Sequence, residues 1–182
     1  MDDRLPGIRP RASLGRRLDM AARRALPAAS TALLLMLVAA PIGLPGQAEL
    51  QACVALSCVF FWSLFRPASM PPVAVFGLGL LTDLLAFAPP GIGVLSLLLL
   101  HGLAVRWGFF LVRQGFLVVW LCFSVLAGGV AALQWALTSL LVFHLLPPGP
   151  GVFQAALGAG LYPALAVILT RVHQTLAEPE LA

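Results

Sequence analysis

The stretch that decides the fold is GFLVVWLCFSVLAGGVAALQWALTSLLVFHLL, which is Gly115–Leu146 and contains no Asp, Glu, Lys or Arg. A water-soluble domain could not cover so long an uncharged segment with polar groups, so its solvent must be lipid. One perpendicular span needs about 20 residues, and two spans with a loop need more than this stretch provides. It therefore predicts one long transmembrane helix, tilted or kinked near Gly128-Gly129.

The whole chain has the same character, with 60% hydrophobic residues, 10% charged residues and a mean hydropathy of +0.99. Soluble domains carry about 25% charged residues. We therefore predict an all-α, polytopic integral membrane protein with a basic N-terminal segment at 1–27, a transmembrane domain at 28–171 and a short tail at 172–182. The six predicted transmembrane helices cover residues 28–44, 49–65, 71–87, 92–110, 115–146 and 151–170. The first resembles a signal peptide, but Pro41 disfavours cleavage, so we expect an uncleaved anchor.

All the basic residues are arginines, and the six-span topology places every one of them on the same side. Seven lie in 1–27, and the others are Arg66, Arg106, Arg113 and Arg171. Because basic residues favour the cytoplasmic side, both termini are expected in the cytoplasm of a bacterial inner-membrane, multi-pass protein. The segment 1–27 either contacts anionic membrane lipids or acts only as a topology signal. Nucleic-acid binding is not expected.

Asp83 is the main anomaly, because a carboxylate at the centre of a span costs roughly 2.5–3.5 kcal/mol. It could form an ion or substrate site, or it could be a structural carboxylate that caps the next turn or pins neighbouring helices. His101 is the best candidate partner, since antiparallel third and fourth helices would bring it to a similar depth. Gln134 is another possible hydrogen-bond partner in the membrane.

Small residues recur in three of the predicted helices and permit close backbone approach. They are Gly77-x-Gly79, Gly128-Gly129 and Gly158-x-Gly160. Each pair could form a docking face for a partner helix or ordinary packing within the bundle.

The sequence contains no recognisable catalytic or metal-binding pattern. Cys53, Cys58 and Cys122 lie in apolar runs without a Cys-x-x-Cys spacing, which predicts packing residues and neither a metal site nor a redox pair. A phosphate-binding loop, a catalytic triad and paired carboxylates are also missing. We therefore expect a protein that is not an enzyme and that carries no cofactor.

One further pattern runs from Trp62-Ser-Leu-Phe-Arg66-Pro67 through Phe76-Gly-Leu-Gly79-Leu-Leu-Thr-Asp83-Leu-Leu85 to Pro89-Pro-Gly91 and a leucine-rich helix. This region resembles the rod shape-determining protein MreD family. The family often has a histidine just after the last turn, where this chain has Gly93 and Val94. The candidate structural or partner-binding residues are Trp62, Arg66, Pro67, Gly79, Asp83, Pro89, Gly91 and His101.

The resemblance implies a non-enzymatic membrane scaffold of the bacterial cell-elongation complex. Such a protein binds an MreC-like partner and works through it with MreB, RodA and a class B penicillin-binding protein. It also implies a fold similar to the substrate-binding S-components of energy-coupling-factor transporters, although a shared fold does not settle function. The alternative is therefore an S-component-like subunit that transports a small molecule such as a vitamin.

Overall fold

The computed structural model describes residues 14–40, 43, 45–86 and 89–177, with side chains between Arg24 and Gln174. Its helices are α1 (Leu14–Val38), α2 (Gln47–Phe65), α3 (Pro72–Leu85), α4 (Ile92–Leu111), α5 (Phe116–Leu141) and α6 (Gly149–Ala177), with a 3₁₀ turn at Pro67–Ser69. The described residues contain no strand, which confirms the all-helical class. Residues 1–13 of the basic segment, residues 41, 42 and 44 at the end of the first predicted helix, residues 87 and 88 and the tail after Ala177 lie outside the described residues.

Helix α2 is the centre of the bundle. Every side chain from Cys53 to Leu64 is buried, and the other five helices all contact it. A helix that is hydrophobic on all sides is surrounded either by other helices or by lipid, and α2 is surrounded by the other helices. The aromatic core lies along this helix, where Phe60 contacts both Phe123 and Tyr162, whose rings stack with centroids 4.3 Å apart.

Four of the described helices are long and apolar enough to cross a membrane: α2, α4, α5 and α6. The apolar part of α1, Arg24–Val38, and α3 are shorter. With 14 residues, α3 is about 21 Å long, against about 30 Å for the hydrocarbon core of a bilayer. Four helices therefore support insertion into a membrane, while the count of six spans is still a prediction.

Two predicted boundaries differ from the structure. The boundary expected at residues 27 and 28 falls inside α1, which continues through Pro27. A proline in a helix interior removes the hydrogen bond to the carbonyl four residues earlier, and α1 nevertheless continues past it, with the hydroxyls of Ser30 and Thr31 both donating to the Pro27 carbonyl. The sixth helix begins at Gly149 and extends to Ala177, beyond the expected end at residue 170.

The long uncharged stretch is one helix as predicted, although it ends at Leu141 rather than residue 146. It runs unbroken through Gly128-Gly129. After Phe143, which has a φ of 53°, the chain folds back on the helix. There Trp135 Nε1 donates to the Leu146 carbonyl at 2.9 Å, and the Leu146 N–H donates to Ser139 Oγ at 3.3 Å.

The one-sided arginines predict which loops face the cytoplasm. Alkaline phosphatase, which is active only outside the cytoplasm, should be inactive when fused after Gln114 and active when fused after Pro148. The physical reason is the arginines beside the first position and their absence beside the second. Enzyme activity in intact cells is the measurement, and a fluorescent protein fused at the same positions is the control. Equal activity at the two positions would contradict the six-span topology.

Candidate functional site

Asp83 lies in the last turn of α3 and links this helix to the start of α4. The side chain is 4% exposed, and its carboxylate accepts three backbone N–H groups. Oδ1 accepts from Gly93 at 2.7 Å, while Oδ2 accepts from Gly91 at 2.8 Å and from Val94 at 3.4 Å. The buried carboxylate therefore joins the two arms of the α3–α4 hairpin.

This arrangement satisfies the backbone at the start of α4. The first N–H groups of a helix have no partner within it, and a polar N-cap side chain usually supplies one. The N-cap of α4 is Gly91, which has no side chain. Asp83 replaces that cap from another helix, and the Ile92 N–H donates to the Pro89 carbonyl at 3.4 Å. The positive end of the helix dipole also favours a carboxylate there.

Three glycines make the close approach of α3 and α4 possible. A Cβ on Gly79 would lie 2.5 Å from the Val94 Cα, and a Cβ on Gly93 would collide with Asp83 Oδ1. Gly91 has a φ of 101°, which is strained for residues with a side chain. The structure thus brings together Gly79, Asp83, Pro89 and Gly91 of the predicted set. It adds Gly93, the position at which the sequence departs from the family pattern.

Asp83 does not pair with His101, its candidate partner, which is a histidine satisfied within the bundle. Both carboxylate oxygens bind the first turn of α4, whereas His101 lies about 13 Å further along that helix. Its Nδ1 is hydrogen-bonded to the Ser63 hydroxyl of α2 at 2.7 Å. Gln134, the other possible partner, accepts from Gln154 Nε2 at 2.8 Å.

The remaining predicted residues lie at the opposite end of the bundle. Trp62 is fully buried and its ring centroid is 6.3 Å from that of His173. The Arg66 N–H donates to the Trp62 carbonyl at 2.8 Å, which ends α2, and Pro67 begins the 3₁₀ turn. Trp62, Arg66 and Pro67 therefore shape the connection between α2 and α3 and do not join the Asp83 site.

The two ends of the bundle differ in charge. The acidic end, as we call it, consists of the starts of α2, α4 and α6 and the ends of α3 and α5, and it contains Glu49 and Asp83. The basic end comprises the other ends of these helices. It carries the arginines that follow 1–27 in the sequence, namely Arg66, Arg106, Arg113 and Arg171.

A cavity of about 320 Å³ opens at the acidic end, between the ends of five helices. Its polar lining includes Glu49, Gln51, Asp83, Gln134 and Gln154, and we call it the acidic-end cavity. Gln51 is only 2% exposed, and among the described residues its amide nitrogen has no hydrogen-bond partner. Sequence reasoning missed this cavity, although Gln51, an amide at the start of the apolar run of α2, was a signal.

The described part of the chain contains no group of three His, Cys, Asp or Glu residues that could hold a metal ion. Its free cysteines are Cys53, Cys58 and Cys122, the first two of them buried. No protein-family model, curated protein or solved structure matches the chain.

Replacing either glycine of the Gly77-x-Gly79 pair by alanine tests the helix contact. Gly79→Ala should lower the free energy of unfolding by about 1–3 kcal/mol, because its methyl group would overlap the backbone of Val94. Gly77→Ala is the matched control, since nothing lies within 4 Å of its Cβ position. It should be neutral or stabilise α3 by up to about 1 kcal/mol. Thermal unfolding of the purified protein measures both, and equal effects would refute a specific contact at Gly79.

Substitutions of Asp83 test the cap itself. In Asp83→Asn one carboxylate oxygen becomes an amide that faces N–H donors, so at least one hydrogen bond to a charged group is lost, at about 1.5–3 kcal/mol. Asp83→Leu leaves all three donors unpaired and should be less stable still. The expected order of unfolding temperatures is wild type, then Asp83→Asn, then Asp83→Leu. A leucine variant as stable as the wild type would exclude the capping role.

Proposed function

We propose that this protein is a non-enzymatic membrane scaffold of the bacterial cell-elongation complex, located in the inner membrane. In this proposal it binds an MreC-like protein, and through it works with MreB, RodA and a class B penicillin-binding protein. The resemblance of the region from Trp62 to Leu100 to the MreD family supports the assignment. The effect on cells would be the maintenance of rod shape and of peptidoglycan synthesis.

The observation that favours partner binding most is the unpaired amide of Gln51 in the acidic-end cavity. Leaving a buried polar group without a hydrogen bond costs about 1–3 kcal/mol. That nitrogen is buried, so a segment of a bound partner would accept the hydrogen bond through a backbone carbonyl only after the Gln51 side chain turns toward the cavity. In the proposed topology this cavity faces the outer side of the membrane, so the partner segment would enter from there.

The three hydrogen bonds that Asp83 accepts from the backbone support a scaffold rather than an ion-coupled transporter. Ion coupling requires a carboxylate that can exchange ligands or protons. Both oxygens of Asp83 accept backbone N–H groups that the start of α4 needs. Releasing this carboxylate would leave buried donors unpaired, which makes it suited to holding the wall of the cavity in place.

The alternative function, an S-component-like subunit for a small molecule, is favoured by the same cavity. A volume of about 320 Å³ is within the range of small-molecule sites. A neutral ligand with an acceptor group would satisfy Gln51 equally well. Native mass spectrometry of the purified chain distinguishes the two functions. A bound vitamin-like compound would support the transport subunit and would exclude a cavity reserved for a protein partner.

Gln51→Leu tests the role of the unpaired amide. This change keeps the size of the side chain but removes the buried polar group, so the isolated protein should become about 1–3 kcal/mol more stable. Co-purification with the MreC-like partner should nevertheless decrease, because the partner loses its hydrogen-bond donor. Unfolding temperature and the yield of partner in a pull-down from membranes are the two measurements.

Ser57→Ala is the matched control for this variant. Ser57 is also buried in α2 with an unpaired side-chain oxygen, but it does not line the cavity. It should raise stability without affecting partner binding. Unchanged binding in Gln51→Leu would remove the cavity from the proposed interface, and unaltered cell shape after depletion of the protein would overturn the scaffold function as a whole.

A further inference from the structure

A second cavity, of about 390 Å³, lies at the basic end between α2, the α4–α5 connection and α6. We call it the basic-end crevice. Its walls are almost entirely apolar and include Phe61, Phe65, Val119, Tyr162, Ala166 and Val167. Phe65 and Val167 are 40% and 56% exposed, so the crevice is open on the outside of the bundle.

The crevice is elongated along α6. Tyr162 lies deep in the bundle at 1% exposure, whereas Arg171 is exposed, and both line the crevice. At a rise of about 1.5 Å per residue, the two are separated by about 13 Å. An apolar crevice of this length can hold part of a flexible hydrocarbon chain.

The rim of the crevice carries an unpaired positive charge. Within the described part of the chain, the Arg171 guanidinium forms neither a hydrogen bond nor an ion pair, and Gln114 lies on the same rim. Arg113 differs, because its guanidinium lies 4.1 Å from the centre of the Phe109 ring. Among the side chains that the structure describes, between Arg24 and Gln174, the acidic ones are Glu49 and Asp83, and both are at the acidic end. Arg171 therefore has no acidic partner among these side chains and can bind an anion from outside the protein.

We propose that the basic-end crevice binds one anionic phospholipid, with part of an acyl chain in the crevice and the phosphate group at Arg171 and Gln114. Charge complementarity selects this occupant, because the molecule must combine a hydrocarbon chain with an anionic head. Basic pockets between membrane helices on the cytoplasmic side bind lipid head groups of this kind, and arginine suits phosphate recognition. The inference depends on membrane insertion but not on the identity of the protein partner.

The first test separates head-group recognition from general attraction. Native mass spectrometry of the full-length chain in mild detergent is performed with equal amounts of phosphatidylglycerol and phosphatidylethanolamine that have identical acyl chains. The wild type should retain one phosphatidylglycerol, and Arg171→Gln should lower its affinity about fivefold. Arg106→Gln removes the same charge from α4 outside the crevice and should leave the affinity unchanged. Equal retention of the two lipids, or equal effects of the two variants, would overturn the proposal.

The second test concerns the acyl chain. Val167→Trp should fill the crevice and prevent lipid retention, whereas Ile168→Trp, which is similarly exposed but does not line it, should have no effect. Glycerol phosphate should not displace the lipid, since it lacks the chain. Displacement by glycerol phosphate would show that the site binds only the phosphate group, and it would refute binding of the acyl chain in the crevice. A protein dimer that Val167→Trp dissociates would identify a second copy as the occupant and likewise refute the proposal.

Discussion

The carboxylate of Asp83 and the N–H groups that begin α4 form the interaction on which the α3–α4 hairpin depends. Water cannot satisfy the end of a helix that is buried, so each buried donor needs a partner from the protein. The N-cap Gly91 permits the positive φ of the turn but has no side chain to act as a cap. The acid on the preceding helix supplies the acceptors instead, and the absence of side chains at Gly79 and Gly93 lets the two helices approach closely enough for it to do so.

The same constraint explains other polar side chains at the acidic end. Gln47 Nε2 donates to the carbonyls of Val38 and Ala40 near the end of α1, and Trp135 Nε1 donates to the Leu146 carbonyl. Each of these polar groups serves a backbone group where a helix or loop needs a partner. Gln51 is different, because its amide nitrogen lacks any such partner among the described residues. This contrast is what makes the acidic-end cavity a candidate for binding rather than for structure.

The two proposals assign different occupants to the two ends for a physical reason. The acidic-end cavity has amide groups and the carboxylates of Glu49 and Asp83 on its walls, so it suits a polar segment that can exchange hydrogen bonds. The basic-end crevice is apolar inside and cationic at its rim, so it suits an amphiphile with a phosphate group. A scaffold with these features would bind its protein partner on one side of the membrane and be held by lipid on the other.

The sequence by itself determined the helical class, the apolar environment and the concentration of arginine at one end, because these follow from composition and from segment length. It also predicted a single helix after Gly115 and named Asp83 as the residue that needs an explanation. It could not determine the partner of Asp83, since the choice between His101 and the start of α4 depends on how two helices are aligned in space. Only the tertiary structure decided that Asp83 is a cap, that His101 pairs with Ser63 and that Gln51 stays unpaired in a cavity. Each of these depends on distances between atoms of residues far apart along the chain or on different helices, and local sequence patterns do not contain those distances.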